Sequence, residues 1–476
     1  MVKYSLPPLR AYQWPVLTSD ARDDVTVSAP QLGKTVALGV WTLIGAWRDA
    51  ENKISLPTWW TSPTYLMATQ GMEKLAELGR STNMVLATRQ APNPRIILRN
   101  GGIIEARSWD IPENLYGPTV GRIACDEFGY LTTEAYTVLR SRVAETRVHG
   151  AGFMRFTGNV GEVGGEAENI FRHAMSGAPG WACRTWTWKD RALAGPCACD
   201  NGEPLPVSLE REEVERHGPN CERGLYLLQL MDVKARMSDL HFRQLYGAEW
   251  LDWSSLPAYT FDRAVHVTGD VKEQESLDID LSCDFNVDPM VWIIGQHTAT
   301  EAWDMDEIVL PGGATTQAAC LEFLRRYPGS WTRGLNVYGD ASGNARGTKS
   351  PESDYSIIRR VIGEKWAQLR FNVPPKNPPV MMRLNSVNAM LKNAEGKVRY
   401  YVHPRCAKLA TDWARVALKP GTRDIDKSNK SLTHASDAAG YRLVMLFPVQ
   451  SEGGPLYAAA STADSSFDGG IATMGF

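Results

Sequence analysis

Long hydrophobic runs are missing from this 476-residue chain: no uncharged apolar stretch approaches the roughly 18 residues that a membrane span needs. The opening residues, Met1 to Arg10, carry no apolar segment of the kind a secretion signal has. Cysteine is sparse, with eight residues, too few and too scattered for a disulfide scaffold, and this fits a reducing compartment. Charge of one sign is lacking as well. The 51 Lys and Arg face 54 Asp and Glu, a net charge of −3. That balance excludes a uniformly basic coat for nucleic acid but leaves room for a local basic patch. No internal repeat is present. Charged residues at 22%, with 41 Gly and 28 Pro spread along the chain, argue against disorder and collagen-like order. These absences leave a soluble intracellular protein as the expectation.

A chain this long outgrows a single core, because domains run to about 100–200 residues, so two or more are expected. Tryptophan is in excess, with 16 residues; core packing is the simpler account and broad contact surfaces the alternative. Residues 1–175 alternate short apolar strands with helical stretches, an α/β pattern. Val25-Thr26-Val27 is a β-branched run entering a Gly-Lys-Thr loop, and a helical run follows from Thr35 through Trp47. Further strands are predicted at Ile96–Leu98, Gly102–Ala106, Arg122–Cys125 and Phe153–Phe156. Residues 180–255 read as a smaller helical subdomain, and a second α/β unit begins near Leu281. The expected division is 1–178, 179–258 and 259–450, followed by 451–476 as a flexible tail. From Gln450 onward there is no Lys or Arg, and Gly, Ala and Ser supply 14 of 27 residues.

Ser28-Ala29-Pro30-Gln31-Leu32-Gly33-Lys34-Thr35 has P-loop spacing, with Ser28 in the first glycine position. In such a loop, backbone N–H groups and a helix N-terminus cradle phosphates, the lysine reaches the β/γ oxygens and the hydroxyl ligates Mg²⁺. Ile123-Ala124-Cys125-Asp126-Glu127 is an apolar strand ending in two carboxylates. Asp126 is placed to hold the Mg²⁺, and Glu127 to orient and deprotonate the attacking water. Gln13, in Leu9-Arg10-Ala11-Tyr12-Gln13, offers a donor and an acceptor for the edge of adenine. Thr157-Gly158-Asn159 ends the next strand, where the Asn159 side chain is placed to sense the γ-phosphate.

The C-terminal unit carries a second acidic set. Asp284 and Asp340 each end a predicted strand, and Asp437 lies near the start of a helix. Carboxylates so placed can converge on two Mg²⁺ or Mn²⁺ ions and cleave a phosphodiester. Asp288, Glu307 and His434 are auxiliary candidates; for His434 a helix-start hydrogen bond and a site contact weigh equally. Residues 392–430 hold ten Lys/Arg against four Asp/Glu, an excess of +6. Beside a nuclease this suggests a phosphate-tracking surface, with Lys427 its first member to test. Cys197, Cys199, His217 and Cys221 form Cys-x-Cys and His-x₃-Cys pairs whose side chains suit tetrahedral zinc. Their spacing is not a standard one, and free thiols are the commoner reading.

Taken in order, these residues resemble the large terminase subunit of tailed bacteriophages, from Leu9 to about Pro448. Gln13 matches the adenine-reading motif, Ser28 to Thr35 the P-loop, Asp126-Glu127 the Walker B pair and Thr157 to Asn159 the coupling motif. Phe242 to Trp250 is similar to the segment closing the ATPase half, and Asp284, Asp340 and Asp437 fall where the nuclease carries its metal ligands. The resemblance implies a P-loop (RecA/ASCE-like) ATPase domain with a helical lid and a C-terminal RNase H-like domain. It implies ATP-driven packaging of double-stranded viral DNA through a portal protein, and cutting of concatemeric DNA by a two-metal endonuclease. The implied partners are a small terminase subunit and a homo-oligomeric ring, commonly a pentamer; the implied location is the host cytoplasm, with docking on the procapsid and no membrane. Ser28 departs from the consensus glycine, and Pro30 stands where many members carry a basic residue. A trans-acting arginine is therefore expected, from Arg107, Arg122, Arg140 or Arg142. The alternatives are a helicase-like DNA-dependent ATPase with a non-catalytic C-terminal docking domain, and a structural capsid-vertex protein that binds nucleotide as a staple.

Overall fold

In the computed structural model, residues 8–449 are described, apart from 91–92, 145–151, 195–196, 198, 200–206, 218–220, 252–256, 286–287, 346–351, 420–423 and 430. The stretch read as a tail, Gln450 to Phe476, lies outside the described residues, as does most of Gly195 to Pro206. The chain forms two compact units. One comprises Met1–Ala258 with Lys392–Lys397 and Ala417–Ile425; the other comprises Tyr259–Leu391, Val398–Val416 and Asp426–Phe476.

The first unit is built on an eight-stranded sheet. Its strands are β1 (Asp23–Ser28), β2 (Thr58–Ser62), β3 (Val85–Arg89), β4 (Arg95–Leu98), β5 (Ile103–Ser108), β6 (Arg122–Asp126), β7 (Phe153–Gly158) and β8 (Trp181–Trp186). They lie in the order β3-β4-β5-β2-β6-β7-β1-β8. From β5 to β8 neighbouring strands run parallel, while β3, β4 and β5 form an antiparallel edge. Strand β2, Thr-Trp-Trp-Thr-Ser, has no aliphatic residue and escapes a search for Val/Ile runs, yet all five of its residues are buried. Side-chain alternation explains the paired indoles. Trp59 packs with Val25, Ile123 and Phe156, and Trp60 with Leu38, Leu75 and Ile104. Among the described residues nine tryptophans are buried, so core packing accounts for most of the excess. The last strand of this sheet, β8, lies beyond residue 178; after it come the helices Trp188–Ala194, Arg211–His217, Glu222–Arg236 and Asp239–Leu245.

The sheet order positions the Ser28–Thr35 loop. β7 sits between β1 and β6, and the three strands run parallel with Val27 opposite Gly158 and Asp126 opposite Thr157. Their C-terminal ends thus deliver Ser28, Asp126 and Gly158 to one edge, where ligands bind in open α/β sheets.

The second unit contains a six-stranded sheet: β9 (Ile279–Asp284), β10 (Met290–His297), β11 (Ala302–Leu310), β12 (Ser330–Gly339), β13 (Trp366–Phe371) and β14 (Tyr400–Val402). The order is β13-β12-β9-β10-β11-β14. An antiparallel meander, β9-β10-β11, is extended by β12 running parallel to β9. The His434–Leu446 helix packs on β9, β10 and β12. Arg442 of that helix is fully buried and ion-paired with Asp304 at 2.7 Å and Asp280 at 3.6 Å. Gly295 of β10 leaves the room this guanidinium fills; a Cβ there would collide with it. Among the described residues, no helix is long and apolar enough to cross a membrane.

Candidate functional site

At the end of β1 the chain takes left-handed conformations at Gln31 (φ 58°) and Gly33 (φ 76°), a pairing of turns that gathers N–H groups around an anion. Gly33 caps the Lys34–Glu51 helix without a side-chain hydrogen bond. The first N–H groups of that helix have no carbonyl partner within it and so suit a phosphate. Lys34 donates from Nζ to Asn159 Oδ1 at 2.9 Å, and the same Nζ lies 3.1 Å from Glu127 Oε1. Thr35 Oγ1 stands 3.5 Å from Asp126 Oδ1. Lys34, Thr35, Asp126, Glu127 and Asn159 are therefore gathered at one sheet edge, next to a cavity of about 650 Å³ that Glu127 and Asn159 help to line.

Two features of this edge store unfavourable energy. Glu127 adopts a left-handed backbone (φ 58°, ψ 42°), uncommon for a residue with a side chain and typical of sites where geometry is imposed. Burial, reinforced by the charge of Glu127, pushes the Asp126 carboxyl up to about 7, against the pull of Lys34, Thr157 and Lys74. Thr157 steadies it, donating from Oγ1 to Asp126 Oδ1 at 3.3 Å. Sequence reasoning singled out Asn159 from this segment and passed over Thr157, whose inward direction follows from strand alternation only once the sheet is known.

Gln13 is buried against the loop rather than standing free for a base. Its Nε2 donates to the Leu32 and Gly33 carbonyls, each at 3.1 Å, and its Oε1 accepts from the Arg10 N–H at 2.8 Å. The Nε2 half of the amide expected to read adenine thus braces the Ser28–Thr35 loop, while the Oε1 half closes the turn at Arg10. Tyr12 adds a further bond, from its hydroxyl to Leu32 O at 2.9 Å. Of the four arginines, Arg122 makes two 2.8 Å bonds to Asp49, Arg140 pairs with Asp23 and Arg107 with Glu105. Arg142 bonds the Gly117 carbonyl and the Ser141 hydroxyl instead, with no carboxylate partner among the described residues.

In the second unit, Asp284 ends β9 and Asp340 follows β12, the strand paired alongside it with Gly339 opposite Cys283. Asp437 lies in the first turn of the His434–Leu446 helix. That helix reaches both strand ends: His434 Nδ1 is 3.0 Å from Asp284 Oδ2, and the Tyr441 hydroxyl donates to Asp340 Oδ2 at 3.0 Å. His434 thus contacts one of the three candidate carboxylates.

Asp340 also accepts from the Ser342 N–H at 2.6 Å and Asn377 Nδ2 at 2.9 Å. Burial raises its pKa, but these bonds, the Ser342 hydroxyl and Tyr441 outweigh it and leave the carboxyl below its ordinary value. Asp437 is buried between two cations, Arg383 at 2.8 Å and Lys427 at 3.1 Å. Arg383 was not anticipated, although an arginine inside the apolar run Val380-Met381-Met382-Arg383-Leu384 was a usable signal. All three carboxylates thus share one end of the sheet while held by protein donors. Among the described residues, they do not form a set with all ligand atoms within 4.8 Å of one another; Cys197, Cys199, His217 and Cys221 do.

The auxiliary candidates separate. Glu307 accepts from the Lys408 and Leu409 N–H groups at 2.8 and 2.9 Å, capping the Ala407–Arg415 helix, and Asp288 accepts from the Gly312 N–H at 3.0 Å. The basic run divides between the two units. Residues 392–397 and 417–425 belong to the first unit and the remainder to the second, and Lys397, Lys408 and Lys427 are paired with Glu395, Asp412 and Asp437.

No protein-family model matches the sequence, and neither does any curated protein. Solved structures do. The large terminase of a thermophilic bacteriophage, in one of its crystal forms, is similar with a TM-score of 0.56 at 14% identity, covering 92% of this chain and 99% of that one. The complexes of the same terminase with ADP and with ATP-γ-S give a TM-score of 0.55 at the same identity and coverage. Two successive α/β units are the fold this chain shares with the large terminase of that bacteriophage.

Proposed function

We propose that this chain is a viral DNA-packaging motor subunit. ATP hydrolysis in its first unit drives double-stranded DNA into a procapsid through a portal, and its second unit cuts concatemeric DNA. The observation that carries the reading is the joint presence of two acidic sheet-edge sites in one chain, a P-loop edge and an Asp284/Asp340/Asp437 edge, within a fold resembling a large terminase over 92% of the chain. That terminase was solved with ADP and with ATP-γ-S, which favours adenine nucleotides as the ligand here.

In this mechanism Lys34 leaves Glu127 and Asn159 for the β/γ oxygens of ATP, and the loop N–H groups bind the phosphates. Glu127, freed of the ammonium, takes the proton of the attacking water. Asn159 then faces the γ-phosphate, so its contact is lost on hydrolysis and can move a neighbouring element. Thr35 and Asp126 supply the hard oxygens that would hold Mg²⁺, which neutralises phosphate charge when bound. A ring of such subunits, a pentamer in this reading, brings a neighbour's arginine to each site. Arg142 is best placed for this because no carboxylate holds it among the described residues.

At the second site the three carboxylates have the donor chemistry for two Mg²⁺ or Mn²⁺ ions, which activate water and stabilise a leaving 3′-oxygen when bound. His434 orients Asp284, Tyr441 and Asn377 orient Asp340, and Lys427 is exposed enough to exchange Asp437 for a DNA phosphate. The portal and a small terminase subunit are the partners this reading requires.

A second reading has a specific observation behind it. Arg383 and Lys427 already neutralise Asp437, as befits a docking domain without cleavage on a helicase-like ATPase. One experiment separates the two: ATP turnover and plasmid nicking by the purified chain, with double-stranded DNA and Mn²⁺. DNA-stimulated turnover together with nicking that Asp284→Ala abolishes supports the motor-nuclease. Turnover with strand unwinding and no nicking supports the docking domain.

A further inference from the structure

We infer that Cys197, Cys199, His217 and Cys221 form a structural zinc site in the helical part of the first unit. One ligand atom from each residue lies within 4.8 Å of all the others, although up to 24 residues of sequence separate them. A tetrahedron with Zn–S bonds of about 2.3 Å places its sulfurs about 3.8 Å apart, so the group needs only a small contraction to close on an ion. His217 presents Nδ1 to the cluster, 3.2 Å from Cys197 Sγ. Three soft sulfurs and one imidazole are a donor set suited to zinc and ill suited to Mg²⁺ or Ca²⁺.

Local structure explains how unusual spacing yields a usable site. His217 ends the Arg211–His217 helix, and Cys221 is the N-cap of the Glu222–Arg236 helix, so the end of one helix and the start of the next each supply a ligand. Cys197 and Cys199 come from the chain that follows the Trp188–Ala194 helix. His217 and Cys221 are buried, whereas metal-free surface thiols have no reason to converge.

The site has a structural purpose. The three helices it joins offer few buried apolar side chains of their own, among them Ala192, Val214, Tyr226, Leu227 and Leu230, and small cores of this kind are commonly stapled by a metal. Binding releases three thiol protons and leaves a Zn(S)₃N centre of charge −1, with no redox change. The stapled helix start also carries Glu222, which pairs with Arg10; the Arg10 N–H bonds Gln13 Oε1, and Gln13 Nε2 bonds the Leu32 and Gly33 carbonyls. The zinc thereby steadies the back of the nucleotide loop.

The test is metal analysis of the full-length chain, purified without a polyhistidine tag from zinc-supplemented medium. About one zinc per chain is expected, released by a thiol-specific mercurial. It should fall to less than about a tenth in Cys199→Ser/Cys221→Ser and be retained in Asp284→Ala, which separates it from an ion at the aspartate site. Refolding with Co²⁺ should give the thiolate-to-metal absorption of a tetrahedral site, a readout that stands even where the double variant is insoluble. Zinc near zero in the wild-type chain, zinc unchanged in a soluble double variant, or a disulfide among these cysteines in the reduced, zinc-loaded preparation would overturn the site.

Discussion

The ammonium of Lys34 lies 3.1 Å from the carboxylate of Glu127, with both side chains largely shielded from solvent. In the proposed mechanism Lys34 binds phosphate and Glu127 activates water, so bound nucleotide would part this pair. Lys34→Ala is expected to abolish both ATP binding and turnover. Glu127→Gln should bind ATP as well as the parent or better while turnover falls about a hundredfold or more. Isothermal titration alongside steady-state phosphate release distinguishes them; a Glu127→Gln chain hydrolysing at the parental rate would remove the base assignment.

Asn159 holds the other side of Lys34, at 2.9 Å. Asn159→Ala should retain ATP binding within about threefold, consistent with loss of one hydrogen bond to a charged group. DNA stimulation of turnover should disappear, because the strand between the phosphate loop and the acidic strand no longer senses the γ-phosphate. A stimulation ratio equal to the parent's would count against coupling through this residue.

Arg142 is expected to act on a neighbouring subunit. Arg142→Ala should leave nucleotide affinity unchanged and lower turnover about a thousandfold, but only under conditions where the ring assembles. Mixing this variant with Lys34→Ala chains gives a sharp check, since part of the activity should return when an intact arginine meets an intact phosphate site.

At the aspartate site, Asp340→Ala and Asp437→Ala should each eliminate Mn²⁺-dependent nicking while DNA-stimulated turnover persists. Lys427→Ala acts differently. Its loss should weaken DNA binding across sequences and reduce the salt dependence of the binding constant by about one phosphate contact. A salt slope identical to the parent's would show that Lys427 serves Asp437 alone.

Arg442 is a stability prediction. It is the buried cation between Asp280 and Asp304. Arg442→Met strands both carboxylates in the core, and breaking a buried pair in this way costs about 3–5 kcal/mol. Urea unfolding of the full chain should show the loss in the transition of the second unit. Gly295→Ala should destabilise the same unit, since its methyl group would collide with that guanidinium.

Chemistry tied to local order was legible in the sequence. A phosphate-binding loop is a contiguous stretch with its own backbone turns, so Ser28 to Thr35 predicted the helix that follows, and the structure has it at Lys34–Glu51. Apolar runs before acids likewise predicted the strands that end at Asp126 and Asp284 and the one that precedes Asp340. Periodicity could not recover β2, because two adjacent tryptophans facing opposite layers leave no aliphatic signature, nor could it show that β8 belongs to the sheet rather than to the helices after it.

Partnership was decided by tertiary structure alone. Lys34 finds Asn159 across 125 residues and His434 finds Asp284 across 150. Strand order makes those meetings, and side-chain type by itself does not specify them. The run of cations at 392–430 looked like one surface because sequence proximity resembles spatial proximity; folding splits it between two units and pairs several of its lysines with carboxylates. The four zinc-type ligands show the opposite case. Their spacing was not a standard one, and the end of one helix and the start of the next, with the chain after a third, bring them together. Sequence by itself determined which chemical groups this protein owns and the α/β layers that carry them, because those follow from local propensity and hydrophobic period. Tertiary structure decided which groups face each other, because that depends on strand order and on where helices begin and end.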